Sequence, residues 1–271
     1  MLKIIKPRKI KGMLTLFFII YILLCSVMYI MQRKLLYVPF GEVVNPQEFG
    51  LSEYQQIFIT TSDNETLRTW YHKKINSENV ILYFHGNAAN LENRREKYKV
   101  FATESEFSVL AITYRGYPGS SGSPSEDGFY KDGDAAIKFL QSQGFKSEDI
   151  ILYGESIGSG VATEMATRIN AKALILESPF TSIDAVAKKI YWFLPVSFLL
   201  KDHFNNKTKI KELDLPILII HGKKDKIVPI SLGRELSNSY AGPKSLVVTE
   251  EHGHMDFSGE FLIQNIIDFV H

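Results

Sequence analysis

Ser156 stands at the centre of Gly154-Glu155-Ser156-Ile157-Gly158, between an apolar run from Asp149 to Tyr153 and a helix-like segment from Ser159 to Asn170. A serine on a sharp strand-to-helix turn presents its hydroxyl as a nucleophile. Glycine is needed two residues to either side, because a Cβ there meets the neighbouring strand or helix. The hydroxyl attacks poorly unless an imidazole removes its proton, and a carboxylate must fix the tautomer of that imidazole. Both groups follow downstream. Asp225 closes the run His221-Gly222-Lys223-Lys224-Asp225, and two histidines lie in Glu251-His252-Gly253-His254-Met255-Asp256. The order Ser156, Asp225, His254 matches the nucleophile-acid-base order of one hydrolase fold and neither the chymotrypsin nor the subtilisin order. Such a trio performs acyl transfer through an acyl-serine intermediate, chemistry that calls for no metal and no cofactor.

A nucleophile of this kind also needs donors for the oxyanion. Phe84-His85-Gly86-Asn87-Ala88 follows an earlier apolar run. There Gly86 lets the backbone approach a ligand, and the N–H of Asn87 (or Ala88) joins that of Ile157 to face the developing charge. His85 reads as a packed loop histidine. Asp202 and Asp214 are rivals to Asp225, but they precede the penultimate strand rather than end it, and read as solvated surface carboxylates. Of the two histidines, His254 is preceded by Gly253, whose backbone freedom turns the imidazole back toward the elbow, whereas His252 reads as a polar loop residue at the site entrance.

The elements that must hold these residues are legible from periodicity. From about Leu51 the chain alternates strand-like runs with helical patterns, the signature of an α/β sheet with crossover helices. Strands are predicted over Gln56–Thr60, Leu67–His72, Val80–Phe84, Ser108–Thr113, Ile150–Tyr153, Ala173–Glu177, Ile217–His221 and Ser245–Thr249. Helices are predicted over Asn90–Thr103, Asp127–Gln143, Val161–Ile169, Leu232–Tyr240 and Phe261–Val270. Each chemistry-bearing loop then falls at the carboxyl end of a strand, the edge where open parallel sheets bind ligands.

The 271 residues are 45% hydrophobic and 23% charged, with a net charge of +1. That is ordinary globular material, enough for one large domain. No basic patch forms in the folded part, so nucleic acid is not an expected partner. The single cysteine, Cys25, allows no disulfide framework and no cysteine-based metal site within one chain. Two sequons, Asn64-Glu65-Thr66 and Asn206-Lys207-Thr208, read as surface turns.

Met13 to Met31 carries no charge over 19 residues. At ~1.5 Å per residue such a helix is about 28 Å long, close to the ~30 Å hydrocarbon core. It reads as an uncleaved membrane anchor rather than a signal peptide, because Val27-Met28-Tyr29 is too bulky for a cleavage site. Lys3, Lys6, Arg8, Lys9 and Lys11 precede it, against Arg33 and Lys34 after it. The positive flank keeps the N-terminus cytoplasmic and puts the domain on the periplasmic or extracytoplasmic side. The expected organisation is a basic tail (1–12), the anchor (13–31), a linker (32–50) and a catalytic domain (51–271).

Taken jointly, these residues resemble the α/β-hydrolase superfamily, and within it the membrane-anchored serine hydrolases of the α/β-hydrolase domain-containing protein 13 branch. The likeness covers residues 33–271. It rests on Gln32 to Pro39 (QRKLLYVP), His85-Gly86-Asn87-Ala88, Tyr114 to Gly122 (YRGYPGSSG) with Pro124-Ser125-Glu126, and the elbow. Glu177 to Ser182 (ESPFTS), His221 to Asp225 with Val228-Pro229, and Gly253-His254-Met255-Asp256 complete it. The resemblance implies an α/β-hydrolase fold with a mostly parallel sheet of about eight strands and a short lid. It implies Ser156 as nucleophile, Asp225 as acid, His254 as base, and the Asn87 and Ile157 N–H groups as oxyanion hole. It further implies an esterase or thioesterase acting on acyl groups, often lipidic. His252 departs from the pattern, which has a small residue there.

The lid of such hydrolases corresponds to Ser182–Leu215. Tyr191 to Val196 (YWFLPV) and Phe198-Leu199-Leu200 are too apolar there for a plain exposed loop. They either pack on the core or form an acyl-chain groove near the membrane. Three functions stay open: hydrolysis of an ester or thioester, peptide hydrolysis on the same fold, and a non-catalytic membrane-anchored binding scaffold.

Overall fold

The computed structural model of the chain describes residues 7–88 and 90–271, with side chains from residue 11 onward. Lys3 and Lys6 of the basic flank, and with them much of the expected tail, lie outside the described residues.

Eight strands form one sheet: β1 (Gln55–Thr60), β2 (Thr66–His72), β3 (Val80–Phe84), β4 (Ser108–Ile112), β5 (Ile150–Glu155), β6 (Ala173–Glu177), β7 (Ile217–Gly222) and β8 (Lys244–Thr249). Their order is β1-β2-β4-β3-β5-β6-β7-β8. β2 is antiparallel to both β1 and β4, and every other pair is parallel. The mostly parallel eight-stranded sheet expected from the sequence is thus present.

The central strands are buried on both faces, which is why they read as continuous apolar runs. Side chains alternate between the two layers. Val80, Leu82 and Phe84 of β3 join one core with α3 (Glu126–Ser142), α4 (Gly158–Arg168) and α8 (Ile230–Ser239). Ile81 and Tyr83 join the other, under α2 (Arg95–Glu104) and α9 (Gly259–Val270). The chain winds from β3 to β4 on one side, then crosses back to β5 on the other. That reversal opens a crevice at the carboxyl ends of β3 and β5, with Phe84 in register with Gly154.

The N-terminal helix α1 spans Pro7–Leu36, longer than the anchor inferred from hydropathy. Its Lys11–Leu36 portion is long and apolar enough to cross a membrane. Residues 32–36, expected in a linker, are instead its last turns, and the remainder of that segment is docked rather than loose. Tyr37 is buried against Phe129, and Val38 bridges to Ala88 beside the crevice.

The lid region contains α5 (Ile183–Ile190), α6 (Val196–Leu199) and α7 (Asn206–Lys209). Ser182 caps α5 by accepting from the Ala185 N–H at 3.1 Å. Leu194 and Val196 pack on Cys25 of α1, while Trp192 and Phe198 are 81% and 90% exposed.

Candidate active site

The elbow follows from close packing. A Cβ on Gly158 would sit 2.1 Å from the Phe84 carbonyl oxygen, and one on Gly154 would sit 2.5 Å from the Gly158 carbonyl oxygen. Neither position accepts a larger residue. Ser156 takes a left-handed backbone with φ of 51°, held by its N–H donating to Glu177 O at 2.9 Å. A non-glycine residue in that region costs on the order of 1–3 kcal/mol, strain that concentrates at functional sites.

His254 and Asp225 meet this serine. His254 Nδ1 lies 2.7 Å from Asp225 Oδ2, and its Nε2 lies 3.0 Å from Ser156 Oγ. The carboxylate only accepts, so Nδ1 carries the proton and Nε2 is left to accept the serine hydroxyl's. Asp225 Oδ1 accepts from the Ile227 and Val228 N–H groups at 2.9 and 2.8 Å. His221 Nε2 lies 3.3 Å from Asp225 Oδ2 and 2.8 Å from the Val228 carbonyl. Burial alone would raise the Asp225 carboxyl, but the bonds from His221, His254 and the Val228 N–H hold it well below the usual range. It is therefore ionised at neutral pH. His221 is a second partner of this acid that the sequence reading passed over; a histidine closing an apolar strand four residues before the acid was the available signal.

His252 turns elsewhere. Its ring stacks on Phe257 and Phe261, with centroids 4.8 and 5.8 Å apart. It packs against α9 rather than lying free at the entrance. The turn that carries His254 does not use a left-handed Gly253; the positive φ falls on Met255, at 59°. The loop is fixed by Asp256, whose two carboxylate oxygens each accept from the Gly253 N–H at 2.9 Å.

The Asn87 side chain joins the loop after β3, the candidate oxyanion loop, to the end of α1. Its Nδ2 donates to Leu36 O at 2.5 Å, and its Oδ1 accepts from the Val38 N–H at 3.3 Å and from Tyr117 Oη at 2.8 Å. Among the described residues, no protein acceptor takes the backbone N–H of Asn87 or of Ile157. His85 is fully buried, and burial with the nearby Arg94 charge lowers it to about 3, so it is neutral. It is the packed loop histidine its position suggested.

Behind the elbow lies a charged cluster that sequence reading missed. Glu155 and Glu177 stand opposite each other at the ends of β5 and β6. Arg94 Nε donates to both Glu155 oxygens at 3.1 and 3.0 Å, and Lys97 Nζ to both Glu177 oxygens at 2.7 and 3.0 Å. The hydroxyls of Tyr83 and Tyr153 complete the two carboxylates. Burial would raise Glu155, but Arg94 and Lys97 lower it to about 2. Glu177, equally buried and facing the Glu155 charge, is pushed up despite Lys97. Arg94 Nη1 also donates to the Ala88 and Asn90 carbonyls at 3.2 and 3.0 Å, tying the oxyanion loop to the elbow strand. An acid closing each of two apolar strands was the signal.

The rival acids lie away from Ser156. Asp214 is exposed, as expected. Asp202 is not a solvated carboxylate: it is 2% exposed and accepts from Arg33 Nε and Nη2 at 2.7 and 2.9 Å and from the Glu126 N–H at 3.0 Å. Its partner on α1 was out of reach of a reading that placed Arg33 in a linker. Asn206 likewise is buried, donating to Ser159 Oγ and Phe180 O, so its sequon is not a surface turn.

A family model described as serine aminopeptidase, S33 matches residues 76–209, a span that contains Asn87 and the elbow and stops before Asp225 and His254. The chain is also similar to human α/β hydrolase domain-containing protein 17B, 34% identical over 194 residues, 69% of this chain and 65% of that protein. The chain belongs to the α/β-hydrolase superfamily. Also similar are the protein bem46 of Schizosaccharomyces pombe, 34% identical over 196 residues (69% of this chain and 65% of that one), and an uncharacterized protein of Mycobacterium tuberculosis. The latter is 36% identical over 228 residues, 83% of this chain and 81% of that protein. Among solved α/β-hydrolase structures, an esterase of Pyrococcus furiosus matches with a TM-score of 0.70 at 22% identity, covering 87% of this chain and 98% of that one; this is a likeness of fold. The narrower resemblance to the domain-containing protein 13 branch is not carried by these matches, which name protein 17B and bem46.

Proposed function

We propose that this hydrolase is a membrane-anchored serine esterase or thioesterase, with α1 as the anchor and residues 51–271 as the catalytic domain. The supporting observation is the unbroken hydrogen-bond chain Asp225–His254–Ser156, together with two backbone N–H groups, of Asn87 and Ile157, that find no acceptor among the described residues. Ser156 Oγ attacks the acyl carbonyl while its proton passes to His254 Nε2, and the Asn87 and Ile157 N–H groups hold the oxyanion. His254 returns the proton to the departing alkoxide or thiolate. Water then attacks the acyl-serine, again through His254, and the free acid leaves. Ionised Asp225 keeps the imidazole in the right tautomer and stabilises the imidazolium at each step.

The experiment is labelling with a fluorophosphonate probe, alongside turnover of 4-nitrophenyl butanoate. Labelling should occur in the native chain and vanish in Ser156→Ala. A serine variant that keeps near-native esterase activity would overturn the assignment, and a native chain that neither labels nor turns over the ester would favour a non-catalytic scaffold. The description of the matching family favours a second reading, a peptidase; faster release of an aminoacyl amide than of any ester would select it. For topology, the flanking charges support a cytoplasmic N-terminus with the domain on the extracytoplasmic side. Retention after carbonate washing and an active C-terminal alkaline phosphatase fusion are expected, and an inactive fusion would reverse the orientation.

A further inference from the structure

A cavity of about 230 Å³ lies between α1 and the lid. Met28 and Leu35 line it from α1, Val186, Ala187 and Leu199 from the lid, and Asn87 closes one end. The lining is mostly apolar, with Gln32, Asn87 and Tyr191 its polar members, so it offers water few hydrogen bonds. The same asparagine binds the end of α1 and carries a proposed oxyanion donor, so the cavity borders the candidate oxyanion loop at that residue and extends from it beside α1.

The position of the lid along α1 is fixed by polar contacts at several levels. Arg33 pairs with Asp202, Gln32 Nε2 donates to Leu199 O at 2.8 Å while its Oε1 accepts from the Lys201 N–H at 2.7 Å, and Tyr21 Oη donates to Phe193 O at 2.9 Å. Tyr21 lies about 15 Å along the helix from Met31, where the uncharged segment ends. If α1 spans a bilayer, whose hydrocarbon is ~30 Å thick, the lid beside Tyr21 cannot stay in water. At that depth it reaches about the middle of the hydrocarbon core. The side chains at that level agree. Ile190, Trp192, Phe193 and Phe198 are exposed to whatever surrounds the protein. Lys201 lies back near the boundary, over the Tyr29 ring at 4.1 Å, and Lys189 reaches away to Ser231 on α8.

We infer that the lid is sunk in the leaflet beside α1 and that the groove between them receives one long acyl chain of a membrane-resident lipid ester. The anchor is then one wall of the substrate site. This rests on the reading of Ser156 as nucleophile, and it names the substrate class for that reaction. A chain entering from the hydrocarbon reaches Ser156 without crossing water.

The test uses the full chain in lipid nanodiscs, with 4-nitrophenyl butanoate and dodecanoate as substrates. The native enzyme should favour dodecanoate in kcat/KM by more than tenfold, since each buried methylene is worth about fourfold. Ala187→Trp on the lid wall and Leu35→Trp on the α1 wall should each lower that ratio at least tenfold. Trp192 should be quenched by phospholipids brominated along the acyl chain, while Trp70, fully buried, should not. Absence of turnover and of fluorophosphonate labelling in the native chain would sink the hydrolase reading itself. Butanoate turnover with a ratio that neither wall variant moves, or a Trp192 untouched by brominated chains, would overturn only the groove. An unmoved ratio with an altered oligomeric state would assign the groove to a second copy. A dodecanoyl chain on a soluble peptide cleaved faster than on a glycerolipid would remove the bilayer lipid as the source.

Discussion

Ser156, His254 and Asp225 are joined by directional bonds of 2.7 and 3.0 Å, each donor with one acceptor in reach. The wall that α1 and the lid build nearby rests mainly on contact among Cys25, Leu194, Val196 and their neighbours, pinned by a few polar bonds. Both regions border the same asparagine, yet they respond differently to change. If the three residues serve one proton transfer, as proposed, deleting one atom disables the unit. An apolar wall has many interchangeable contacts, so single changes shift its shape and depth by degrees.

The sharpest way to break this contrast is at the serine. Ser156→Ala and His254→Ala should each reduce kcat by up to ~10⁶-fold, and the double variant should be scarcely worse than either alone. Steady-state kinetics on 4-nitrophenyl butanoate reads this. Losses that multiplied in the double variant would mean the two residues act independently. Asp225→Asn comes next, with a loss of about 10⁴-fold, since the imidazole survives but its tautomer is no longer fixed. A loss under tenfold would show that His221 or the loop backbone holds His254 without the carboxylate.

The same contrast explains what the sequence could and could not reveal. Ser156, Asp225 and His254 were singled out by residue type, order and position after apolar runs, and the sheet brings them within bonding distance. Strand boundaries such as Val80–Phe84 and Ala173–Glu177 coincide with the observed ones because doubly buried strands are apolar throughout. Glu155 and Glu177 were not legible as a buried pair, since their meeting depends on the register of β5 against β6. The short α6 and α7 hold too few residues to show a helical period. Asp202 looked solvated because its partner, Arg33, is distant in sequence. The exposure of Trp192 and Phe198 depends on tertiary contacts, or their lack, that no local pattern contains.

The cluster behind the elbow should give the largest effect on stability. Glu155→Gln leaves Arg94 buried without its carboxylate and should cost about 3–5 kcal/mol in urea unfolding. The pH dependence has a definite sign. Glu155 is lowered to about 2, so its contribution is complete above its unfolded value of about 4.3 and fades as pH falls toward 2. Glu177 is pushed up and works the other way, gaining stability as pH falls. Between its unfolded value and about 2 the Glu155 contribution is lost on acidification, so the native chain should lose more stability over that window than Glu155→Gln does. Parallel curves for the two would show that Glu155 does not drive the acid limb.

A smaller effect is expected where the lid is pinned to α1. Arg33→Ala deprives buried Asp202 of two charge-assisted bonds while leaving the Glu126 N–H in place. Arg33 is 46% exposed, so its charge is partly screened by solvent. The expected loss is about 1–2 kcal/mol, read as faster limited proteolysis at Lys201 with the sheet core still protected. Cleavage spreading through the core at the same rate would mean that α1 supports the whole domain rather than the lid.

The smallest effect should come from the histidine nearest in sequence to the base. His252 shares a short loop with His254, and a reading by proximity makes it a reserve base. Its ring instead stacks on Phe257 and Phe261 at interplanar angles of 20° and 21°, and its main chain accepts from the Lys224 N–H at 3.0 Å. His252→Ala keeps that backbone bond and removes only the ring. Stability should fall by about 1 kcal/mol, in the range of one lost aromatic contact, while kcat on the butanoate ester stays within about twofold. The ring cannot leave that stack to replace His254 without uncovering Phe257, which is itself 3% exposed. A His254→Ala variant that kept substantial activity, lost only on adding His252→Ala, would show that the loop does exchange its two imidazoles and that the polar edge is less singly determined than its bonds imply.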